Sequence, residues 1–140
     1  MQEIFTFQGD TSSIQKKIPA ILDELESCES FAVGFQGELG AGKTYLIGRI
    51  LYALGLDPQV PVASPTYAVL NDYQIPQGLF IHADLYKLNW QNVPLEEYLA
   101  DYSFKGAFIE WCSKEDSVLT HFFEISYLGA DQRRYVFYKR

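Results

Sequence analysis

A glycine-rich segment followed by lysine and threonine is the most chemically informative feature of this chain. Gly37, Gly42, Lys43 and Thr44 match the pattern G-x-x-x-x-G-K-[ST] at every defined position. Glycines permit a tight turn in which successive backbone N–H groups face an anion, and a helix beginning there adds its positive dipole end. The ammonium group suits phosphate oxygens, and the hydroxyl suits magnesium. The motif therefore predicts a site for a magnesium nucleotide, most simply Mg²⁺ with ATP.

The predicted binding segment covers the whole loop and the first helical turn after it. It comprises Gly37, Leu39, Gly40, Ala41, Gly42, Lys43, Thr44 and Tyr45. Lys43 is also predicted to take part in catalysis, because phosphoryl transfer depends on offsetting phosphate charge. A glycine-rich turn without a ligand is the alternative. The apolar strand predicted before the loop and the helix predicted after it favour the phosphate site.

Two acidic residues follow predicted strands directly. Asp84 comes after Leu79 to Ala83, and Glu110 comes after Ala107 to Ile109. Ligands of open α/β sheets bind beyond the carboxyl ends of the strands. Either carboxylate is therefore suited to hold magnesium or to orient an attacking water, and both are predicted to be catalytic. A helix cap or an exposed surface charge is the alternative for each.

Three further side chains have two interpretations each. Thr66, in a Ser-Pro-Thr sequence, is predicted to contact the γ-phosphate, or else belongs to a simple turn. His82 alternates with Asp84 along the strand and is placed to hydrogen-bond it, or is a structural histidine. Trp111 belongs either to the core or to an exposed contact surface.

The composition narrows the classes of protein to consider. The 140 residues fit one domain, 1–140, and the 48% hydrophobic content is ordinary for a globular chain. A net charge of −7 disfavours direct binding to a polynucleotide. The two cysteines form no zinc-binding pair. Because neither a secretory signal nor a membrane-length apolar run is apparent, a cytoplasmic protein without a membrane association is expected.

Helices and strands are predicted to alternate around these residues. The predicted strands cover 3–8, 31–36, 67–73, 79–83, 107–109, 122–128 and 135–138, and helices follow Asp10, the glycine-rich loop and Pro94. Pro/Gly turns predict that the third and fourth strands, and also the last two, are antiparallel. This order indicates an α/β fold, specifically a P-loop NTPase-like three-layer sandwich with a mixed, mostly parallel central sheet.

Four sequence blocks resemble one known family. LGAGKT at 39–44, SPTY at 64–67, HADLYKL at 82–88 and IEW at 109–111 follow the order and spacing of the TsaE family. Members of that family are the small ATPases required for bacterial threonylcarbamoyladenosine formation on transfer RNA. The third and fourth blocks together are more specific to the family than the loop.

The resemblance implies roles for the residues that match. Lys43 and Thr44 would bind the phosphates and magnesium. Glu110 would be a magnesium ligand, and Asp84 would be needed for hydrolysis.

The resemblance also extends to residues around the phosphate site. Thr66 would belong to a switch-like loop, and Trp111 would be functionally important. Adenine would lie between Thr11 and Arg133. Tyr45 departs from the pattern, since the family usually has a second threonine after the loop.

The resemblance further implies a weak ATPase that works with the TsaB and TsaD proteins, the pair that transfers the carbamoyl group. Such a protein would not modify RNA itself and would meet tRNA only indirectly, through those partners. The acidic charge agrees with that expectation.

Three alternatives remain beside this reading. A small-molecule kinase would need a lid with arginines, but residues 50–132 contain none. A guanine-specific switch would need an Asn-Lys-x-Asp sequence, which is absent. A nucleotide-dependent interaction or sensor protein with negligible turnover has the same motifs as the ATPase and is the hardest to separate from it.

Overall fold

Seven strands of the chain form one sheet in the order β1-β7-β6-β2-β5-β4-β3. The computed structural model describes residues 1–65, 70–86 and 95–140. The strands are β1 (Gln2–Asp10), β2 (Phe31–Gly37), β3 (Leu70–Ile75), β4 (Gly78–Asp84), β5 (Gly106–Glu110), β6 (His121–Gly129) and β7 (Gln132–Lys139). The helices are a 3-10 helix (Thr11–Lys17), α1 (Ile18–Glu26), α2 (Lys43–Leu54) and α3 (Leu95–Leu99).

The pairing of these strands is mixed, which confirms the predicted α/β class. Within the described residues, β2 is parallel to both β5 and β6, and β4 is parallel to β5. The pairs β3–β4 and β6–β7 are antiparallel, as expected for the two hairpins, and the pair β1–β7 is antiparallel as well. Parallel pairs thus make up three of the six, rather than most of them. They occupy the centre of the sheet, and antiparallel strands extend it on both sides.

Apolar side chains on both faces of the sheet produce three layers. On one face, α1 and α2 pack against the rings of Phe31, Phe35 and Phe123. On the other face, Leu95 and Leu99 of α3 join a second buried cluster that is centred on β4 and β5. Burial of a phenylalanine contributes about 1.5–3 kcal/mol, so the aromatic layer is a large part of what stabilises the central strands.

The first predicted helix is divided in two. Asp10 caps its start by accepting a hydrogen bond from the backbone N–H of Ser13 at 2.8 Å. The first seven residues, Thr11–Lys17, then form a 3-10 helix, and the α-helix begins only at Ile18. Pro19 lies at the start of α1. Because proline has no N–H to donate, it suits the first turn of an α-helix but not its interior.

The middle of β2 is packed unusually tightly. A Cβ atom on Gly34 would lie 2.6 Å from Cys112 Sγ and 2.7 Å from side-chain atoms of Leu119 and Phe122. Burial raises the pKa of the Cys112 thiol to about 12, so this sulfur is protonated at neutral pH and acts as an apolar group. The absence of a side chain at Gly34 therefore lets Cys112, Leu119 and Phe122 pack directly against β2, the strand that leads into the phosphate-loop motif.

The carboxyl ends of the neighbouring parallel strands β2, β5 and β4 lie side by side at one end of the sheet. Asp84 lies opposite Glu110 across the β4–β5 pair, and Phe35 lies opposite Glu110 across the β2–β5 pair. The fold therefore brings the glycine-rich loop and both candidate carboxylates to one place. Of the helices that the structure describes, none is long and apolar enough to span a membrane.

Candidate functional site

The glycine-rich loop connects the end of β2 to the start of α2. A Cβ atom on Gly37 would lie 2.6 Å from the carbonyl oxygen of Ile125, which excludes a side chain there. Gly40 and Gly42 have φ angles of 78° and 105°, in the left-handed region that glycine adopts readily. Among the described residues, no side chain caps the start of α2. The N–H groups of its first turn are thus suited to an anionic ligand.

Lys43 lies beneath the loop and is almost fully buried. Its Nζ atom donates to the carbonyl oxygens of Gly37, at 2.6 Å, and Glu38, at 3.0 Å. The same atom lies 4.0 Å from the centre of the Trp111 ring. Burial lowers the pKa of the ammonium group, while the carboxylates of Glu110 and Asp84 act in the opposite direction. Those two negative charges therefore help to keep a buried cation protonated at the loop.

Thr44 and Glu110 are in direct contact. The Thr44 hydroxyl donates to Glu110 Oε2 at 2.8 Å, and the hydroxyl of Ser64 lies 2.8 Å from that of Thr44 and 3.4 Å from the same carboxylate oxygen. A hydroxyl beside a carboxylate is a typical pair of oxygen ligands for magnesium. The described residues contain no group of three His, Cys, Asp or Glu side chains suited to a metal. The pair thus fits Mg²⁺ that takes its remaining ligands from phosphates and water.

A hydrogen bond from His82 orients the same carboxylate. Its Nε2 atom lies 2.5 Å from Glu110 Oε2, and the imidazole is completely buried. Its Nδ1 atom makes no hydrogen bond within the described ranges. A carboxylate accepts hydrogen bonds, so Nε2 carries the hydrogen in this contact. Of the two interpretations of His82, a hydrogen bond to Asp84 is therefore not found among the described residues; the ring bonds Glu110 on the neighbouring strand β5 instead.

Asp84 ends β4 and is 8% exposed. Its Oδ1 atom accepts a hydrogen bond from the backbone N–H of Tyr86 at 2.9 Å. Trp111 follows Glu110 with a φ of 67°, a left-handed conformation that is unusual for a bulky residue. Its ring lies between Lys43 and Tyr86, whose ring centre is 4.7 Å away. Trp111 therefore lines the site while also packing against the second buried cluster.

These side chains surround a cavity of about 240 Å³. It is lined by Leu39, Gly40, Gly42, Lys43, Thr44, Tyr45, Ser64, Asp84, Glu110 and Trp111. Trp111 also borders a neighbouring cleft of about 580 Å³ against β6. The structure therefore brings the predicted loop residues, Asp84 and Glu110 into a single cavity, with Gly37 and Ala41 in the loop behind it.

Two predicted residues lie on the far side of the loop from the carboxylates. Arg133 on β7 donates to the carbonyl oxygens of Ala41 at 2.7 Å and Gly40 at 3.1 Å. It also donates to the Thr11 hydroxyl at 2.6 Å. The predicted proximity of Thr11 and Arg133 is thus present: they are hydrogen-bonded to each other, and Arg133 also contacts the loop. Thr66 lies outside the described residues.

Ser64 and the partner of His82 were not predicted from the sequence. Ser64 is a hydroxyl residue in a coil, and its only signal was its place in the SPTY block. The contact between His82 and Glu110 depends on strands β4 and β5 being parallel neighbours, which no local pattern indicates. The position of Ser64 beside Glu110 and the contact between His82 and Glu110 are both apparent only from the three-dimensional fold.

Comparisons with known proteins identify the family. The family model described as "Threonylcarbamoyl adenosine biosynthesis protein TsaE" matches residues 8–136. A protein of Aquifex aeolicus named "tRNA threonylcarbamoyladenosine biosynthesis protein TsaE" is 28% identical over 138 residues, covering 98% of this chain and 95% of that protein. The Haemophilus influenzae protein of the same name is 33% identical over 108 residues, covering 74% of this chain and 66% of that protein.

A solved structure agrees at the level of the fold. The structure described as "Crystal structure of Bacillus subtilus YdiB" superposes with a TM-score of 0.66 at 20% identity, covering 95% of this chain and 83% of that one. This likeness supports the P-loop NTPase-like fold. Since the family model covers most of the chain, the conclusion about the family rests on sequence as well. The chain belongs to the TsaE family of tRNA threonylcarbamoyladenosine biosynthesis proteins.

Proposed function

We propose that this chain binds ATP with Mg²⁺ and hydrolyses it weakly, in support of threonylcarbamoyladenosine formation together with TsaB and TsaD proteins. One observation carries the proposal. The hydroxyl of Thr44 lies 2.8 Å from the carboxylate of Glu110, in the same cavity as Lys43 and Asp84. That combination of a cation, a hydroxyl and two carboxylates beside a glycine loop suits a polyphosphate with its metal.

The loop residues hold the polyphosphate in this proposal. Backbone N–H groups of the segment 37–44 and the Lys43 ammonium bind the phosphate oxygens. Thr44 and Glu110 are the magnesium ligands, and His82 keeps Glu110 oriented. Bound magnesium offsets charge on the β- and γ-phosphates.

Asp84 is proposed to orient the attacking water. It lies opposite Glu110 in the strand register, and its Oδ1 atom accepts a hydrogen bond from the backbone N–H of Tyr86. A carboxylate at that place has oxygen lone pairs left to hold a water molecule and to accept its proton. The two carboxylates thus have different partners, and in this proposal Glu110 binds the metal while Asp84 orients the water.

The remaining nucleotide contacts are proposals from the resemblance. Leu39 and Tyr45 border the cavity and are 69% and 40% exposed, so they are accessible to a ligand. Thr66 would contact the γ-phosphate, and Thr11 would lie on the side of the loop that the resemblance gives to the adenine.

The pathway partners are proposed because the family's name places it in this biosynthesis. A chain with a net charge of −7 gains little from direct contact with tRNA, so tRNA is proposed to be reached through TsaB and TsaD. Two exposed side chains, Leu39 in the cavity lining and Tyr86 against Trp111, are suited to contact a protein partner.

The test is ATP turnover with and without a TsaB–TsaD complex. We expect slow turnover alone and a clear rise when the complex is added. The Lys43→Ala variant should lose both ATP binding and turnover, because a buried cation at the phosphates contributes a charge-assisted contact worth at least tenfold, or about 1.5–3 kcal/mol. Lys16→Ala is the control, since Lys16 is an exposed lysine on the 3-10 helix.

Two outcomes would change the proposal. Unchanged ATP affinity in Lys43→Ala would remove the phosphate assignment. Normal ATP binding with no turnover, even with the TsaB–TsaD complex present, would assign the chain as a nucleotide-dependent sensor in place of an ATPase.

A further inference from the structure

The guanidinium group of Arg133, which is not part of the cavity lining, donates hydrogen bonds to the phosphate loop. Its Nε atom donates to the carbonyl oxygen of Ala41 at 2.7 Å, and its Nη2 atom donates to that of Gly40 at 3.1 Å. Gly42 packs against the same side chain, since a Cβ atom there would lie 3.5 Å from Arg133 Nε. One residue from β7 therefore contacts three consecutive residues of the loop.

The other side of the guanidinium is held just as firmly. Its Nη1 atom donates to the Thr11 hydroxyl at 2.6 Å and to Asp131 Oδ1 at 2.5 Å. The Thr11 hydroxyl in turn donates to the same Asp131 oxygen at 2.7 Å. The Arg133 side chain is only 12% exposed. Because all three of its nitrogens already donate, the planar group is fixed relative to both the β6–β7 turn and the start of the 3-10 helix.

Binding a loop carbonyl also sets the direction of the next N–H group. The carbonyl and the N–H of a trans peptide unit point in opposite directions. With Ala41 O turned towards Arg133, the N–H of Gly42 is turned away from Arg133, towards the inner side of the loop. The positive guanidinium also offsets the partial negative charge of two carbonyls that would otherwise repel an anion.

We propose that Arg133 is a positioning residue for the triphosphate: it acts through the backbone of Gly40 to Gly42, and not by contacting the adenine. The proposal rests on the function proposed above and adds that Arg133 holds the loop in its phosphate-binding conformation. Asp131 and Thr11 hold the Arg133 side chain in place by accepting hydrogen bonds from its Nη1 atom. Loss of the side chain should therefore weaken binding of the phosphate chain whether or not a base is attached.

Calorimetric titration with two magnesium-loaded ligands separates these roles. One ligand is ATP, and the other is inorganic tripolyphosphate, which has no base. In Arg133→Met we expect affinity for both ligands to fall by the same factor, about 10- to 100-fold. Arg134→Met is the matched control, because Arg134 is the next residue of β7 and is exposed. The control should bind both ligands as the wild type does.

Conservative variants and a ligand-free measurement extend the test. Arg133→Lys keeps the charge but cannot reach both carbonyls, so an intermediate, equal loss for the two ligands is expected. Asp131→Asn should also give a smaller equal loss. Hydrogen–deuterium exchange of the nucleotide-free protein should show faster exchange in the loop, residues 38–42, for Arg133→Met than for Arg134→Met. If Arg133→Met does not fold, the Lys and Asn variants are read in the same way.

Two results would overturn the proposal. A loss for ATP with unchanged tripolyphosphate affinity would assign Arg133 to the base. Unchanged affinity for both ligands with unchanged loop exchange would make its contacts incidental. If the wild type binds ATP but not tripolyphosphate, loop exchange alone decides. A wild type that binds neither ligand would instead refute the proposed function, so the two failures are distinguishable.

Discussion

At the scale of single residues, one oxygen atom of Glu110 is where the site converges. Glu110 Oε2 lies within hydrogen-bonding distance of Thr44, Ser64 and His82, at 2.8, 3.4 and 2.5 Å. The residue is 2% exposed. Several donors around a buried carboxylate offset its loss of hydration and fix its orientation. These donors therefore hold Glu110 in an orientation suited to a metal ligand. In the proposed site, His82 serves to orient this carboxylate.

Removing that support should weaken the metal site. In His82→Phe the ring volume is kept but the donor is lost, and we expect the magnesium concentration needed for ATP binding to rise about 10- to 100-fold. His82→Gln retains a donor and should lose less. The measurement is calorimetric ATP affinity as a function of Mg²⁺ concentration.

The other histidine of the chain is the control for this change. His121→Phe makes the same substitution at a buried position away from the cavity. An equal magnesium requirement in His82→Phe and His121→Phe would show that His82 does not position Glu110.

How far the site was predictable depends on how local each contact is. Lys43 and Thr44 were predictable because the loop pattern encodes a local backbone shape. Asp84 and Glu110 were predictable because each follows an apolar strand. The contact of His82 with Glu110 was not predictable, since it joins residues 28 positions apart. The roles of these residues in binding and catalysis stay predictions.

At the scale of elements, the strand before the loop is positioned by close packing on both faces. Its phenylalanines face α1 and α2, while Gly34 faces Cys112, Leu119 and Phe122. Strand positions were predictable from runs of apolar residues between turns. The 3-10 helix was not, because the periodicity of Ile14, Ile18 and Ile21 suits an α-helix throughout. The order of strands was not predictable either, as it follows from tertiary packing.

Two glycine substitutions of the same kind should have opposite effects. Gly34→Ala introduces a Cβ atom 2.6 Å from Cys112 Sγ and should reduce the free energy of unfolding by about 1–3 kcal/mol. Gly48→Ala, within α2, places its Cβ atom 3.4 Å from Val62 and should raise it by up to about 1 kcal/mol, because alanine favours the helix. Urea denaturation measures both. Equal stability changes in the two variants would contradict this account of the packing.

At the scale of the whole molecule, a buried polar contact links the sheet to the first α-helix. His121 at the start of β6 is 2% exposed, and its Nε2 atom lies 3.1 Å from Glu24 Oε1 on α1. Thr120 Oγ1 lies 2.8 Å from its Nδ1 atom. The overall negative charge, −7, belongs mainly to the surface. Global stability should therefore respond to pH through this histidine.

The sign of that response follows from the direction of the pKa shift. Burial lowers the pKa of His121 below its usual 6.5, an effect reinforced by Lys139 and opposed by the hydrogen bond and charge of Glu24. The unfolded chain then binds more protons than the folded chain between the two pKa values, so stability rises with pH in that window. The contribution is present above about pH 6.5 and is lost as the pH falls through the lower, folded value.

Urea denaturation at pH 7 and at pH 5 checks this prediction. The free energy of unfolding of the wild type should fall more on acidification than that of His121→Phe, since the variant has no group to protonate there. Carboxylates that do not contact His121 contribute equally to both proteins and cancel in the difference. Parallel changes in the two proteins would exclude His121 as the source.

The most direct test of the central claim is the magnesium dependence of ATP binding in Glu110→Gln. The substitution keeps the size of the side chain and removes its negative charge, and Glu115→Gln is the control at an exposed glutamate outside the cavity. We predict that wild type and Glu115→Gln bind ATP at least about tenfold more tightly with Mg²⁺ than with EDTA. Glu110→Gln should bind ATP with the same affinity in both conditions. A Glu110→Gln variant that retains the full magnesium advantage would contradict the assignment of this cavity as the Mg-ATP site.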